Sequence, residues 1–156
     1  MSAPLPERLA RTIDLMEMSP DRADRIELLI DLANRYREVP ARIAERPFEE
    51  SHRVPGCESA AFVWSEPRED GTLDFHFAVE NPQGISARAL AAALADGLSG
   101  APLDEVAAIT DDLVERLFGP ELSLGKALGL TGIVAMVRRE AVAARARSGE
   151  SGPAGG

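Results

Sequence analysis

The chain holds one cysteine, Cys57, in the segment His52-Arg53-Val54-Pro55-Gly56-Cys57-Glu58-Ser59. Pro55 fixes one backbone angle, and Gly56 admits conformations closed to other residues. The pair reads as a sharp loop that presents Cys57 just before a strand, and loops on a rigid scaffold are where reactive groups commonly sit. Through its thiolate, Cys57 can act as a nucleophile. The opposing reading is a small core hydrophobe, because free cysteine is among the most buried residue types. His52 can deprotonate or orient the thiol, or simply be a solvated loop histidine. His76 falls on the polar side of a strand pattern and reads as a surface residue. A Cys-His-acid triad is conceivable with either histidine. The spacing of Cys57, His52 and His76 matches no zinc pattern, so no metal site is expected.

The elements around this loop follow from periodicity. Residues 5–18 read as a first helix, with Leu5, Leu9, Ile13 and Met16 at helical spacing. Ser19 reads as the cap of a second helix that runs to about Arg37, its buried stripe drawn from Ile26, Leu29, Ile30 and Ala33. The segment 38–56, with Pro40, Pro47 and Pro55, reads as an irregular connector with one helical turn near 41–45. Two strands follow, over 58–65 and 72–80. In the second, Leu73, Phe75, Phe77 and Val79 alternate with Asp74, His76, Ala78 and Glu80, which predicts a sheet with one wet face. Asp70-Gly71 marks a hairpin, so the strands are expected to be antiparallel. Two strands alone are marginal, so a third from 50–54, or covering helices, is expected.

A strong helix over 86–98 is predicted next, with Ala87, Leu90, Ala91, Leu94 and Leu98 as its stripe and Ser86 as its cap. Short helices near 102–108 and 111–118 follow, the latter capped by Thr110. A last helix is predicted from Thr131, with Ile133, Met136, Val137, Ala141 and Ala144 on one face. Helices, then a hairpin, then helices give an α+β fold: a small antiparallel β-sheet packed with several α-helices. Residues 1–147 read as one domain and 148–156 as a disordered Gly/Ser-rich tail.

Composition narrows the function. With 156 residues the chain buries a core without a staple. A net charge of −9 and no basic stripe argue against nucleic acid and anionic membrane as partners. One cysteine excludes an internal disulfide, which favours a reducing, cytoplasmic setting. The start carries no signal-peptide pattern, and no apolar run approaches the roughly 20 residues that cross a bilayer.

Val54-Pro55-Gly56-Cys57-Glu58-Ser59, with His52 upstream, resembles the V-P-G-C-x-S signature of the SufE/CsdE family of sulfur acceptors. The similarity runs from about Pro20 to Arg139. Residues 24–32 resemble the family's second helix, Asp70-Gly71 its hairpin turn, and Gly132-Ile133-Val134-Ala135-Met136 its closing G-L-x-x-M helix. Arg88 falls where the family often has a basic residue. Gly129 stands where the family has arginine, with Lys126 one turn earlier. Ala61-Phe62 replaces the usual V-W pair, and Glu80-Asn81-Pro82 replaces an aspartate-led helix entry.

The resemblance implies a SufE-like fold and a persulfide carrier rather than a stand-alone enzyme. Sulfur would pass from a group II, pyridoxal-phosphate-dependent cysteine desulfurase onto Cys57, stimulating the desulfurase, and then onward to an Fe–S scaffold. It implies a loop shaped by His52, Pro55, Gly56 and Ser59, and partner-docking residues Glu58, Arg88 and Lys126. It implies no cofactor of the chain's own, and either a monomer or a homodimer. Transfer of this kind follows thiol–disulfide exchange, in which thiolate character and access set the rate. An apolar strand after a flexible turn predicts that Cys57 is sheltered until a partner docks. Two rivals remain: a desulfurase-binding regulator that carries no sulfur, and a one-cysteine peroxidase using Cys57 and His52.

Overall fold

Among the described residues, six α-helices and two β-strands make up the fold, with one nearly all-apolar helix at its centre. They are α1 (Glu7–Glu17), α2 (Arg22–Asn34), β1 (Ala61–Pro67), β2 (Leu73–Val79), α3 (Ile85–Leu98), α4 (Leu103–Ala107), α5 (Asp112–Phe118) and α6 (Leu124–Ser151). The computed structural model describes residues 4–19, 21–57, 59–81, 84–120 and 122–151. The fold is α+β. Among the described residues, no helix is long and apolar enough to cross a membrane.

The hub is α3. Ala87, Ala89, Leu90, Ala91, Ala92, Ala93, Leu94, Gly97 and Leu98 are all buried, and a helix apolar on most sides must be covered on most sides. α1, α2, β2 and α6 all pack on it. Its alanines and Gly97 let neighbours come close: a Cβ added at Gly97 would lie 2.9 Å from Leu9 Cβ.

β1 and β2 pair antiparallel, with Ala61 opposite Val79 and Pro67 opposite Leu73. Leu73, Phe75, Phe77 and Val79, with Ala61 and Val63, face the helices as the alternation requires. The second face is wet only in part: Glu66, Asp74, His76 and Glu80 keep solvent exposure, and the rest is covered. Phe62, Trp64 and Ala78 form a smaller core with Val39, packed by Ile43, Ala44 and Phe48 of the connector. The Phe48 ring meets Trp64 edge-on at 5.0 Å. Alternation reports which residues are apolar; it does not report a loop folding back over the polar side.

Ion pairs hold this cover down: Arg46 spans Glu38 and Glu80, and Arg42 reaches Glu66. The connector also serves both sheet edges. Val39 N–H donates to the Phe77 carbonyl at 2.8 Å, and Val54 N–H to that of Ala61 at 2.8 Å. In place of a third strand from 50–54 there is one isolated bridge, Arg53 with Phe62, while Glu38 bridges to Phe77 on the other edge; covering helices, the alternative expected, meet the apolar face. Residues 50–52 form a single 3-10 turn.

Several local expectations shift. α2 is capped by Asp21, whose side chain accepts from Ala23 N–H, not by Ser19, and it ends at Asn34. Its inward face carries Leu28, Leu29, Leu32 and Ala33, while Ile26 and Ile30 are exposed. Gly84 precedes α3 in place of a Ser86 cap, and Asp111 precedes α5 in place of Thr110; neither supplies a side-chain cap bond. α6 starts seven residues before the expected Thr131, at Leu124. Ser123 caps it, its hydroxyl accepting from Lys126 N–H at 3.3 Å. Three glycines in the first turns argue against a helix by propensity, and packing overrides that. The helix also continues past the expected tail boundary to Ser151, and residues 152–156 lie outside the described residues.

Two outcomes test this architecture. Leu94 is fully buried on the hub, so Leu94→Ala is expected to cost about 2–5 kcal/mol in urea unfolding. Glu66 is held down from 4.5 to about 2, chiefly by its hydrogen bonds with Arg42 and then His76. A carboxyl depressed on folding adds stability above its unfolded value and loses it as pH falls toward the folded one. The gap between wild-type and Glu66→Gln urea midpoints is therefore expected to shrink between pH 4.5 and about 2.

Candidate functional site

Each step of the Cys57 loop has a local cause. Val54 is fully buried and tied to the start of β1, so the chain enters the turn from a fixed point. Pro55 and Gly56 then reverse it, with Gly56 at φ +72°, where a glycine carries no steric penalty. The Cys57 carbonyl accepts from Ala60 N–H at 3.2 Å, which closes a second turn. Ala60 takes φ +51°, a left-handed conformation that costs an L-residue about 1–2 kcal/mol. Bonds from Glu80 N–H to the Ala60 carbonyl and from Asn81 N–H to that of Ser59 clamp the turn onto the chain entering α3.

The opposite wall is α6, and it is made of backbone. A Cβ added at Gly129 would lie 3.2 Å from Cys57 Cα and 3.5 Å from its Sγ. One added at Gly132 would lie 2.8 Å from Val54 Cγ1 and 3.3 Å from the Pro55 carbonyl. Gly84 makes a matching approach, with an added Cβ 2.8 Å from Ser59 Oγ. Cys57 is left half-buried, its side chain packed against the main core on one side. On the other it lines a pocket of about 360 Å³ with Ser59, Gly84, Gly125, Lys126 and Gly129.

This pocket favours negative charge. The first turns of α3 and α6 both border it, since Ile85, Ser86 and Ala87 line it together with Gly125 and Lys126, and helix N-termini carry the positive end of the helix dipole. Gly84 offers the α3 N–H groups no side-chain acceptor. Lys126 is the one charged side chain among the described residues of the lining. Ile85 beside the pocket, and Leu124 and Leu128 on the first turns of α6, are more than half exposed. They give the surroundings an apolar surface.

Of the residues the sequence singles out, Cys57, Ser59 and Lys126 meet in the pocket, and Pro55 and Gly56 shape its turn. His52 does not line it. Its Nδ1 lies 2.9 Å from the Val63 carbonyl, its ring stacks on Trp64 at 5.2 Å, and it borders a separate hollow with Arg53 and Arg139. It serves sheet packing and is not a solvated loop residue. Arg88 lies over the Tyr36 ring at 5.2 Å, with its Nε buried and unpartnered, and is also absent from the pocket. Tyr36 in turn accepts from Val79 N–H at 2.8 Å, and burial pushes its hydroxyl up. His76 pairs with Glu66 at 3.0 Å. Glu58 lies outside the described residues.

The described residues hold no cluster of three or more His, Cys, Asp or Glu able to bind a metal. A larger hollow of about 720 Å³ between the end of α2 and β2 contains no cysteine. What the sequence reading missed is the role of Gly84 and Gly125 as walls. The available signal was Gly125 and Gly129 four apart, which puts both on one helix face.

Comparison with known proteins agrees with the fold. The family profile described as "SufE: Fe-S metabolism associated domain" matches residues 10–141. The chain is similar to an uncharacterized SufE-like protein of Mycobacterium tuberculosis, found in strains CDC 1551 and H37Rv. Identity is 30% over 143 residues, covering 89% of this chain and 96% of that protein. Its fold is similar to the solution structure of a hypothetical protein from Thermus thermophilus. The TM-score is 0.70 at 21% identity, covering 92% of this chain and 99% of that one.

The contact at Gly129 can be tested directly. A methyl there must push on Cys57, which sits on a turn with an open side, while Gly→Ala gains about 1 kcal/mol of helix propensity. Gly129→Ala is expected to leave the unfolding midpoint nearly unchanged or slightly raised, and to speed alkylation of Cys57 by iodoacetamide as the turn is displaced from α6. Mass spectrometry over time reads the rate.

Proposed function

The chain belongs to the SufE family, the Fe-S metabolism associated domain, and from that premise we propose that it accepts sulfur on Cys57 from a cysteine desulfurase. The desulfurase, not this chain, supplies the pyridoxal phosphate. In the transfer step the Cys57 thiolate attacks the terminal sulfur of the partner's persulfide. A new S–S bond forms at Cys57, the partner's S–S bond breaks, and the partner's thiolate leaves. The sulfur count and the oxidation level are conserved, as in thiol–disulfide exchange. The sulfur then moves on toward Fe–S cluster assembly, and its removal from the desulfurase stimulates turnover.

The observation that carries this reading is the placing of the only cysteine. It is half-buried, and it opens on a pocket whose walls are helix N-termini and one lysine. An inert core thiol needs no such opening. Partial shelter against the core limits reaction with solvent species, and the exposed Ile85, Leu124 and Leu128 offer a docking partner apolar area near the pocket. With a single thiol in the chain, no second cysteine can resolve a bound persulfide to an internal disulfide.

One observation favours a second reading. Gly129 leaves a bare backbone against Cys57 where the resembling family has arginine, and the loss of that side chain fits a protein that docks on a desulfurase and regulates it without carrying sulfur. Incubation with the partner desulfurase and L-cysteine separates the two. A carrier is expected to gain one sulfur atom by intact mass, a gain abolished in Cys57→Ser together with most of the stimulation. A regulator would show full stimulation in Cys57→Ser and no mass gain in the wild type.

A further inference from the structure

Lys126 is the chain's only lysine, against sixteen arginines. It lines the pocket of the only cysteine. Many of the arginines are committed to carboxylates, such as Arg42 to Glu66, Arg46 to Glu38 and Glu80, and Arg116 to Glu17. Among the described residues, the Lys126 ammonium has no carboxylate within ion-pair distance. Its backbone is fixed on the first turn of α6 by the Ser123 cap. It stands three residues before Gly129, and residues so spaced share a helix face. That face is the one set against Cys57 Cα and Sγ.

The chemistry of the two cations differs. A guanidinium is a planar fork matched to carboxylates and phosphates; an ammonium on a flexible stem is a compact point charge that can follow a moving anion. Away from the pocket the surface repels anions, since the chain as a whole carries −9, and the helix N-termini at the pocket supply only partial charge. Within the pocket lining the described residues contribute no carboxylate, and Ser59, Asn81 and Ser86 are neutral. A persulfide in transfer spreads negative charge over the attacking, transferred and leaving sulfurs. It therefore needs a local counter-charge on this acidic surface.

We propose that Lys126 is that counter-charge: its ammonium draws the anionic sulfur reagent into the pocket and holds the terminal sulfur once it is bonded to Cys57. The assignment rests on the sulfur-acceptor reading. It differs from a docking role for Lys126, in which the ammonium would pair with a carboxylate on the partner's surface.

Alkylation with reagents of different charge tests the field at Cys57 without any partner. Iodoacetate and iodoacetamide form the same thioether bond with loss of iodide, but only iodoacetate is an anion. The iodoacetate-to-iodoacetamide rate ratio is expected to exceed that of the urea-unfolded chain, and to fall about fivefold in Lys126→Gln, the factor for one unit charge near 4 Å in water. It should recover in Lys126→Arg, fall further in Lys126→Glu, and shrink with added salt in the wild type and in Lys126→Arg but not in Lys126→Gln. Lys126 is exposed, so these variants are expected to fold, which circular dichroism verifies.

With the desulfurase, Lys126→Gln should slow single-turnover sulfur transfer at saturating partner and leave the half-saturating concentration unchanged. An unchanged alkylation ratio in Lys126→Gln overturns the proposal. So does a raised half-saturation with an unchanged transfer rate, which is the signature of docking. Charge-selective alkylation in a wild-type protein that gains no sulfur would instead overturn the acceptor reading, and with it the identity of the anion.

Discussion

The approach of α6 to the Cys57 turn, backbone against backbone, is the contact on which the site depends. Gly129 and Gly132 bring the helix within van der Waals reach of Cys57, Val54 and Pro55. Cβ atoms there would have to displace the turn or the helix. Because the wall is glycine, Cys57 is braced on one side without being covered on the other. The same glycines lower the intrinsic helix preference of this stretch by about 1 kcal/mol each. Burial of Leu130, Ile133, Val134 and Val137 further along α6 offsets that cost. A local weakness in propensity is thus tolerated where it makes room for a functional loop.

The turn is held from its other flank by bonds to the chain entering α3, from Glu80 N–H and Asn81 N–H. The pocket therefore forms where two helices begin, and both present their positive ends to it. An acidic protein is not acidic everywhere. Here the small local field opposes the global one, and its sources are backbone dipoles and one ammonium. Short-range charge of this kind acts within about a Debye length of roughly 10 Å, so the distribution of charge around Cys57 matters more to its chemistry than the total.

The second face of the hairpin illustrates how a small sheet becomes stable. Two strands cannot support themselves. The helices cover one face and the connector covers part of the other, with Phe48 on Phe62 and Trp64 and with Arg46 fastened to Glu38 and Glu80. His52 belongs to this cover through its stacking on Trp64. The aromatic residues are few and concentrated here and along β2, while α3 and α6 contribute aliphatic side chains. The cover also delivers Val54 to the edge of β1, so the aromatic patch and the Cys57 turn are parts of one continuous strap.

By itself the sequence determined the α+β class, the antiparallel hairpin at Asp70-Gly71, the stripe of α3 and the turn that displays Cys57. Each is written in local terms: period, turn residues, and one Pro-Gly pair beside one thiol. The start of α6, the inward face of α2, the partly covered second sheet face and the company Cys57 keeps were decided only by tertiary structure. Gly125 and Gly129 read locally as helix breakers, and become helix when their bareness lets α6 meet the turn. Ile26 and Ile30 match a helical stripe as well as Leu28 and Leu32 do, and only the position of α3 selects between them. Lys126 and Cys57 lie far apart along the chain, and no local rule relates them. Packing, which acts on distance in space rather than along the sequence, brings them to one pocket.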